Sequence, residues 1–166
     1  MLQKLMRRRH DSEEGFTLIE LMVVVLIIAI LIAIAIPTFI GARARAQDRA
    51  AQSSLRNALT AAKTLYTDQN DYSTATAGSA TTGLQSVEPS LTYIDSGDST
   101  GPKQVSVAVS GTGSVTWSAA ALSKSGKCFW ITDTATGPGT KFGEAASSPS
   151  TNCAGSDASA AAGASW

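Results

Sequence analysis

A chain of 166 residues has room for about one domain with one sizeable core. Lysine plus arginine equal aspartate plus glutamate, 13 of each, so net charge implies no nucleic-acid or membrane-surface partner. The apolar residues are unevenly placed: residues 16–36 form an apolar block, whereas 73–166 are rich in Ser, Thr, Ala and Gly, the layout of an anchor carrying a small polar head.

The first element is the apolar block. Phe16 to Ile36 is 21 residues, about 31 Å as a helix and close to the thickness of a hydrocarbon core. Leu21 to Ile36 contains no polar residue. Lys4, Arg7, Arg8 and Arg9 precede it and would hold the N-terminus in the cytoplasm. Three readings compete. The small-x-small pair Ala33 and Ala35 suits a cleaved secretory signal peptide, the length suits a single-span anchor, and the apolar run suits a buried soluble helix. Sixteen uninterrupted apolar residues weigh against the last.

Glu20 separates the remaining readings. A carboxylate in a span costs up to about 3 kcal/mol at the bilayer centre, less near an end. A signal peptide or plain anchor gains nothing from that cost. A cut after Gly15 would create a cation, the α-amino group of Phe16, one helical turn from Glu20. That amine can pair with its own Glu20 or a neighbouring chain's, and inside an apolar bundle the pair would be held strongly.

The stretch "GFTLIELMVVVLIIAILIAIAIP" resembles the N-terminal segment of type IV pilins and of their relatives, the type II secretion pseudopilins. The resemblance is specific over about residues 13–41. It implies a leader peptide of residues 1–15, cleavage between Gly15 and Phe16 by a prepilin peptidase, and N-methylation of Phe16. Glu20 then takes the place of the family's glutamate and serves with Phe16 in subunit docking. The leader is longish and carries Asp11, Glu13 and Glu14, which does not exclude processing.

After Pro37 the pattern becomes amphipathic. Ala51, Leu55, Ala58, Leu59, Ala62, Leu65 and Tyr66 recur at three- and four-residue steps, with Arg45, Arg49, Arg56 and Lys63 elsewhere on the same cylinder. One long helix from about Phe16 to about Thr67 is predicted, its filament-core half ending at Ile36 and its amphipathic half covering 37–67. Pro37 and Gly41 interrupt it, and a bend is expected there. In pilins a proline at this place accompanies loss of helix on assembly, and the resemblance extends that expectation to this chain. Residues 38–66 carry five basic residues against Asp48, and residues 67–166 carry eight acidic residues against four lysines. Such segregation is ordinary for a solvated helix face and also favours staggered association in a filament. Basic residues without interleaved aromatics are weak evidence for DNA binding.

Residues 68–102 read as an irregular connection with one short helical turn, and residues 103–166 as a β-sheet head. Val105, Val107 and Val109 alternate, as do Val115 and Trp117; "CFWIT" and "TKFGEA" follow between turns. The predicted fold is α+β: a long N-terminal helix against three or four antiparallel strands, as in the pilin head. Cys128 and Cys153 enclose 24 residues. Beyond a membrane the compartment is oxidising, so a disulfide worth roughly 3.5 kcal/mol is expected. It pins a tail whose composition, over 145–165, offers little to bury. In pilins such a bridge commonly encloses a variable surface loop, here about Phe129–Asn152. Trp166 reads either as a packing plug or as an unordered end.

Catalysis has no support. With His10 lost in the leader the mature chain has no histidine, so no catalytic His set and no ordinary zinc site can form. "DSGDSTG" at 95–101 reads as a turn, with only a faint likeness to a calcium loop. No enzyme activity, cofactor or metal is expected. The leading expectation is a major pilin, made in the cytoplasmic membrane with its head outside, then assembled into an extracellular homo-oligomeric filament. The implied partners are the prepilin peptidase and N-methyltransferase and an ATPase-driven assembly platform. Adhesion, twitching motility and DNA uptake are uses of such filaments, and a DNA or host-surface ligand is not readable from these residues. The alternatives are a type II secretion major pseudopilin and an unassembled single-span binding module.

Overall fold

A computed structural model describes residues 15–137, 139–146, 152–160 and 163–166. The leader up to residue 14, with His10 and its basic cluster, lies outside the described residues. The chain divides into two units, Met1–Ile40 and Gly41–Trp166. Helix α1, Leu18–Gln69, runs through Pro37 and contributes to both. In the first unit every described side chain is exposed, and the large apolar ones from Leu18 to Ile40 are roughly half to three-quarters accessible.

The second unit holds the core. Gly41–Gln69 of α1 buries Ala51, Leu55, Ala58 and Ala62 of the predicted stripe together with Ser54 and Ala61, while Leu59, Leu65 and Tyr66 of the stripe are half-buried at its margin. Small side chains on the helix let it approach large ones on the sheet. Those are Val105, Val107, Trp117, Phe129 and Ile131, alternate residues of their strands, all essentially inaccessible.

The sheet has five strands in sequence order: β1 (Thr92–Ile94), β2 (Gln104–Ser110), β3 (Thr116–Leu122), β4 (Lys127–Thr134) and β5 (Gly139–Ala146). β2 to β5 are antiparallel and coincide with the two alternating segments and with "CFWIT" and "TKFGEA". β1 is additional and pairs parallel with β2, Thr92 opposite Gln104 and Ile94 opposite Ser106. Three residues are too few to show alternation, so β1 has no signature of its own. The predicted helical turn in the connection is α2, Gly83–Val87, which buries Leu84. Ser123–Lys127 closes the β3–β4 hairpin, and Gly126 there has φ 91°, a conformation that only glycine adopts readily.

The second sheet face is covered as well. A 3-10 helix, Gly155–Ala160, lies against β2, β3 and β4. Cys128 on β4 is bonded to Cys153, Cα to Cα 5.6 Å, and these join Ala120, Trp130 and Ala158 in a smaller buried cluster. Gly155 donates its N–H to the Ser106 hydroxyl at 3.0 Å, and a Cβ there would stand 2.7 Å from the Ser106 carbonyl oxygen. The expectation that this tail buries little is therefore corrected. Small residues bury little area each, but their size lets the backbone lie directly on the sheet. Nor is the segment enclosed by the disulfide a free surface loop as far as Ala146: up to there it is the rest of β4 and all of β5, with the core residues Phe129 and Ile131, while residues 147–151 lie outside the described residues.

Trp166 is a packing plug. Its indole N–H reaches the carbonyls of Trp130 (3.1 Å) and Gly143 (3.0 Å), and its ring meets Phe142 and Phe129 edge-on. Arg56 of α1 lies over the same ring, 4.9 Å from its centroid.

One buried carboxylate ties helix, connection and sheet together. Asp133 on β4 accepts hydrogen bonds from the hydroxyls of Tyr72 and Thr140, both at 2.5 Å, and pairs with the Lys63 ammonium at 3.1 Å. Burial alone would raise its pKa, but Thr140, Tyr72 and Lys63 together outweigh it and hold the carboxyl below its ordinary value. Burial first, and then the Asp133 charge, push the Tyr72 phenol up. Because the folded pKa of Asp133 is lowered, its contribution is fully present above the unfolded value and lost as pH falls through the folded one. Asp133→Asn is expected to cost about 1–3 kcal/mol near neutral pH. Urea unfolding of both forms between pH 7 and pH 2 checks this: the gap should narrow below roughly pH 4. A gap constant across that range would show that the carboxylate charge contributes nothing.

Candidate functional site

The residues singled out at the start of the apolar block stand together at the N-terminus of α1. Gly15, Phe16 and Thr17 precede the first helical residue, Leu18, and Phe16 is 89 % exposed. Nothing in the fold demands glycine at position 15, since a Cβ there would meet no atom within 4 Å.

Thr17 is the N-cap, and Glu20 is the third residue of the helix. The Thr17 backbone N–H and hydroxyl both donate to Glu20 Oε2, at 2.8 and 2.6 Å, while the Glu20 N–H reaches back to Thr17 Oγ1 at 3.2 Å. This reciprocal pairing is a capping box, satisfying amides that the first turn leaves without partners. Docking was expected of a Glu20 with no partner inside its own chain, and that part is corrected: its carboxylate is already held by Thr17. Among the described residues no donor reaches Oε1, so one oxygen is left for a further partner. The signal was in the sequence, where "TLIE" before an apolar run is the pattern of a capping box.

Pro37 lies inside α1. It has no N–H to give the Ala33 carbonyl, four residues back. The Thr38 hydroxyl donates to the carbonyls of Ala35 (2.9 Å) and Ile34 (3.3 Å), back-bonding of the kind that bends helices, and not to that of Ala33. A Cβ on Gly41 would meet only the tip of the Arg45 side chain, at 3.6 Å, so packing does not explain this glycine either. A proline and a packing-free glycine four residues apart lower the cost of opening the helix between them.

Residues 11–36 match the family described as the prokaryotic N-terminal methylation motif. The chain carries a prepilin-type methylation motif. The motif implies processing by a prepilin peptidase and handling by pilus-type assembly machinery. It supports a precursor of the type IV pilin or pseudopilin family and points to a structural subunit. The helix and five-stranded sheet make an α+β, pilin-like fold. No curated protein and no solved structure matches the chain significantly.

Several other singled-out residues serve the second unit. Of the five basic residues on α1, Lys63 is paired with Asp133 and Arg56 covers Trp166. Asp48 accepts hydrogen bonds from the Ser123 and Ser125 hydroxyls of the β3–β4 hairpin. In "DSGDSTG", Asp95 accepts the Ala77 N–H at 2.6 Å. Ser99 is buried, donating to the Gln104 carbonyl and accepting the Leu122 N–H.

Thr17→Val keeps the shape of the cap and removes its hydroxyl. Losing an N-cap of this kind costs about 1 kcal/mol, so amide exchange at Glu20 and Leu21 in detergent should quicken roughly fivefold relative to wild type, with Ala29 unaffected. Unchanged exchange at Glu20 would show that the hydroxyl does not hold the first turn.

Proposed function

We propose that this chain is the major structural subunit of a type IV pilus. The N-terminus stays in the cytoplasm, and the apolar half of α1 anchors the precursor in the cytoplasmic membrane with the head outside. After cleavage between Gly15 and Phe16 and methylation of Phe16, the same helix enters the core of an extracellular homo-oligomeric filament. The observation that carries this reading is the methylation motif at residues 11–36, most of it on the first half of α1, where the large apolar side chains are exposed. The 18 large apolar side chains exposed from Phe16 to Ile40 are not a stable end state in water. Lipid before assembly and neighbouring helices after it remove that cost. The glycine that no packing requires is accounted for by recognition at the cut, and the free Oε1 of Glu20 is where the new amine can pair.

The cut leaves Phe16 Nα as a cation one turn from Glu20, whose other oxygen remains held by Thr17. Within a bundle of such helices the amine of one copy and the carboxylate of the next satisfy each other without water. The proline–glycine interruption at 37–41 then gives the helix a place to open and lengthen as copies stack, and the Cys128–Cys153 bridge keeps the head closed outside the cell.

Material sheared from intact cells and pelleted should contain an N-terminal peptide that starts at Phe16 and is one methyl group heavier than its sequence. A Phe16 start found only in the membrane fraction would favour the pseudopilin, and an intact Met1 in all fractions would end the assembly reading. Separately, Glu20→Ala should leave the protein processed and in the membrane while filament yield falls at least tenfold. Normal filament yield from that variant would remove Glu20 from the docking step.

A further inference from the structure

Three arginines of α1 have no work inside the folded unit. Arg43, Arg45 and Arg49 are exposed, and among the described residues no acidic group pairs with them. The nearest carboxylate in sequence, Asp48, is engaged by two serine hydroxyls of the β3–β4 hairpin. The intervening residues are Ala44, Ala46 and Gln47, so little bulk surrounds the guanidinium groups. On a helix Arg45 and Arg49 stand one turn apart on one side, and Arg43 projects from the other.

Their place in the chain defines what they meet. They follow Ile40, the end of the apolar segment, by three to nine residues, about 5–14 Å of helix. A bilayer has about 5–8 Å of headgroup region beyond each face of its hydrocarbon core. Arginine side chains reach several ångströms further and place a planar fork where phosphate oxygens lie. No aromatic residue occurs between Ile40 and Leu65, so the stacking that nucleic acid would need is absent from this stretch.

We propose that Arg43, Arg45 and Arg49 form a binding collar for anionic phospholipid headgroups in the leaflet beneath the folded unit, occupied before assembly. The proposal rests on the reading of Phe16–Ile36 as a membrane span, extended here to Ile40 because Phe39 and Ile40 are apolar and exposed like the residues before them. The partner is a phosphodiester headgroup with net negative charge, held by charge-assisted hydrogen bonds.

The test uses the full chain reconstituted in phosphatidylcholine vesicles that carry either spin-labelled phosphatidylglycerol or spin-labelled phosphatidylcholine. The motionally restricted fraction of each label gives the relative association. Wild type should prefer phosphatidylglycerol about threefold at low salt, and less in 0.5 M salt as screening shortens the reach of the charges. The leader cations add to that preference, so variants carry the decision. The triple variant Arg43→Gln, Arg45→Gln, Arg49→Gln should lose at least half of it, the triple lysine variant should keep most of it, and Lys124→Gln should change nothing. Tryptophan fluorescence through urea unfolding confirms that each variant folds.

A triple glutamine variant that keeps the wild-type preference overturns the collar. So does one that keeps it while filament yield falls, which would assign the arginines to contacts between copies. Absence of any restricted lipid, for either label, would show that the chain is not in the bilayer. The membrane reading then fails, and the collar with it.

Discussion

The folded unit depends on one core shared by a face of α1 and a face of the sheet. Ala51, Ala58, Ala61 and Ala62 present almost no side chain there, and Trp117, Phe129 and Ile131 supply the bulk. Larger residues at those helix positions would overpack that core, which costs stability as voids do. The Asp133 network spans the same junction. Lys63 on the helix, Tyr72 on the connection and Thr140 on β5 converge on one carboxylate. The opposite sheet face follows the same logic with a thinner cover, in which Gly155, Ala154 and Ala158 lie flat on the strands and the disulfide fixes them there.

The first unit obeys a different constraint, because among the described residues nothing buries its side chains. The carboxylate of Glu20 is held locally: Thr17 gives it two hydrogen bonds, one of them from a backbone amide that the first turn of the helix leaves without a partner. Under the proposed docking, capping uses one oxygen of this side chain and leaves the other for the new amine. That separation would let the helix be capped at its N-terminus and still keep an acceptor site.

Much of this was legible in the residues. The uniform apolar run and the three- and four-residue steps after Pro37 mark α1, alternation marks β2 and β3, and the turns on either side of "CFWIT" and before "TKFGEA" mark β4 and β5. β1 is too short to do so. The tail cover was missed for another reason: Ser, Ala and Gly are read as poor core formers, yet over a sheet their small size is what permits contact. Trp166 was ambiguous because its partners, Phe142, Phe129 and Arg56, are distant in sequence. At the functional end, Glu20 was conspicuous as a charge among apolar residues, which drew attention away from the threonine three residues earlier.

The bridge between Phe142 and Gly163 has a consequence for how copies can meet. Their main chains exchange two hydrogen bonds, 2.8 and 2.9 Å, on the outer side of β5. The other end of the sheet is β1, three residues long. An open sheet edge is a template on which an identical chain can add its own strand, and repeated addition grows into a cross-β fibre. Here one edge is interrupted at its middle by the chain's own backbone, and the other is too short to nucleate pairing. In the proposed filament, heads lying side by side would thereby be steered away from strand-to-strand growth, which leaves order among copies to the helices.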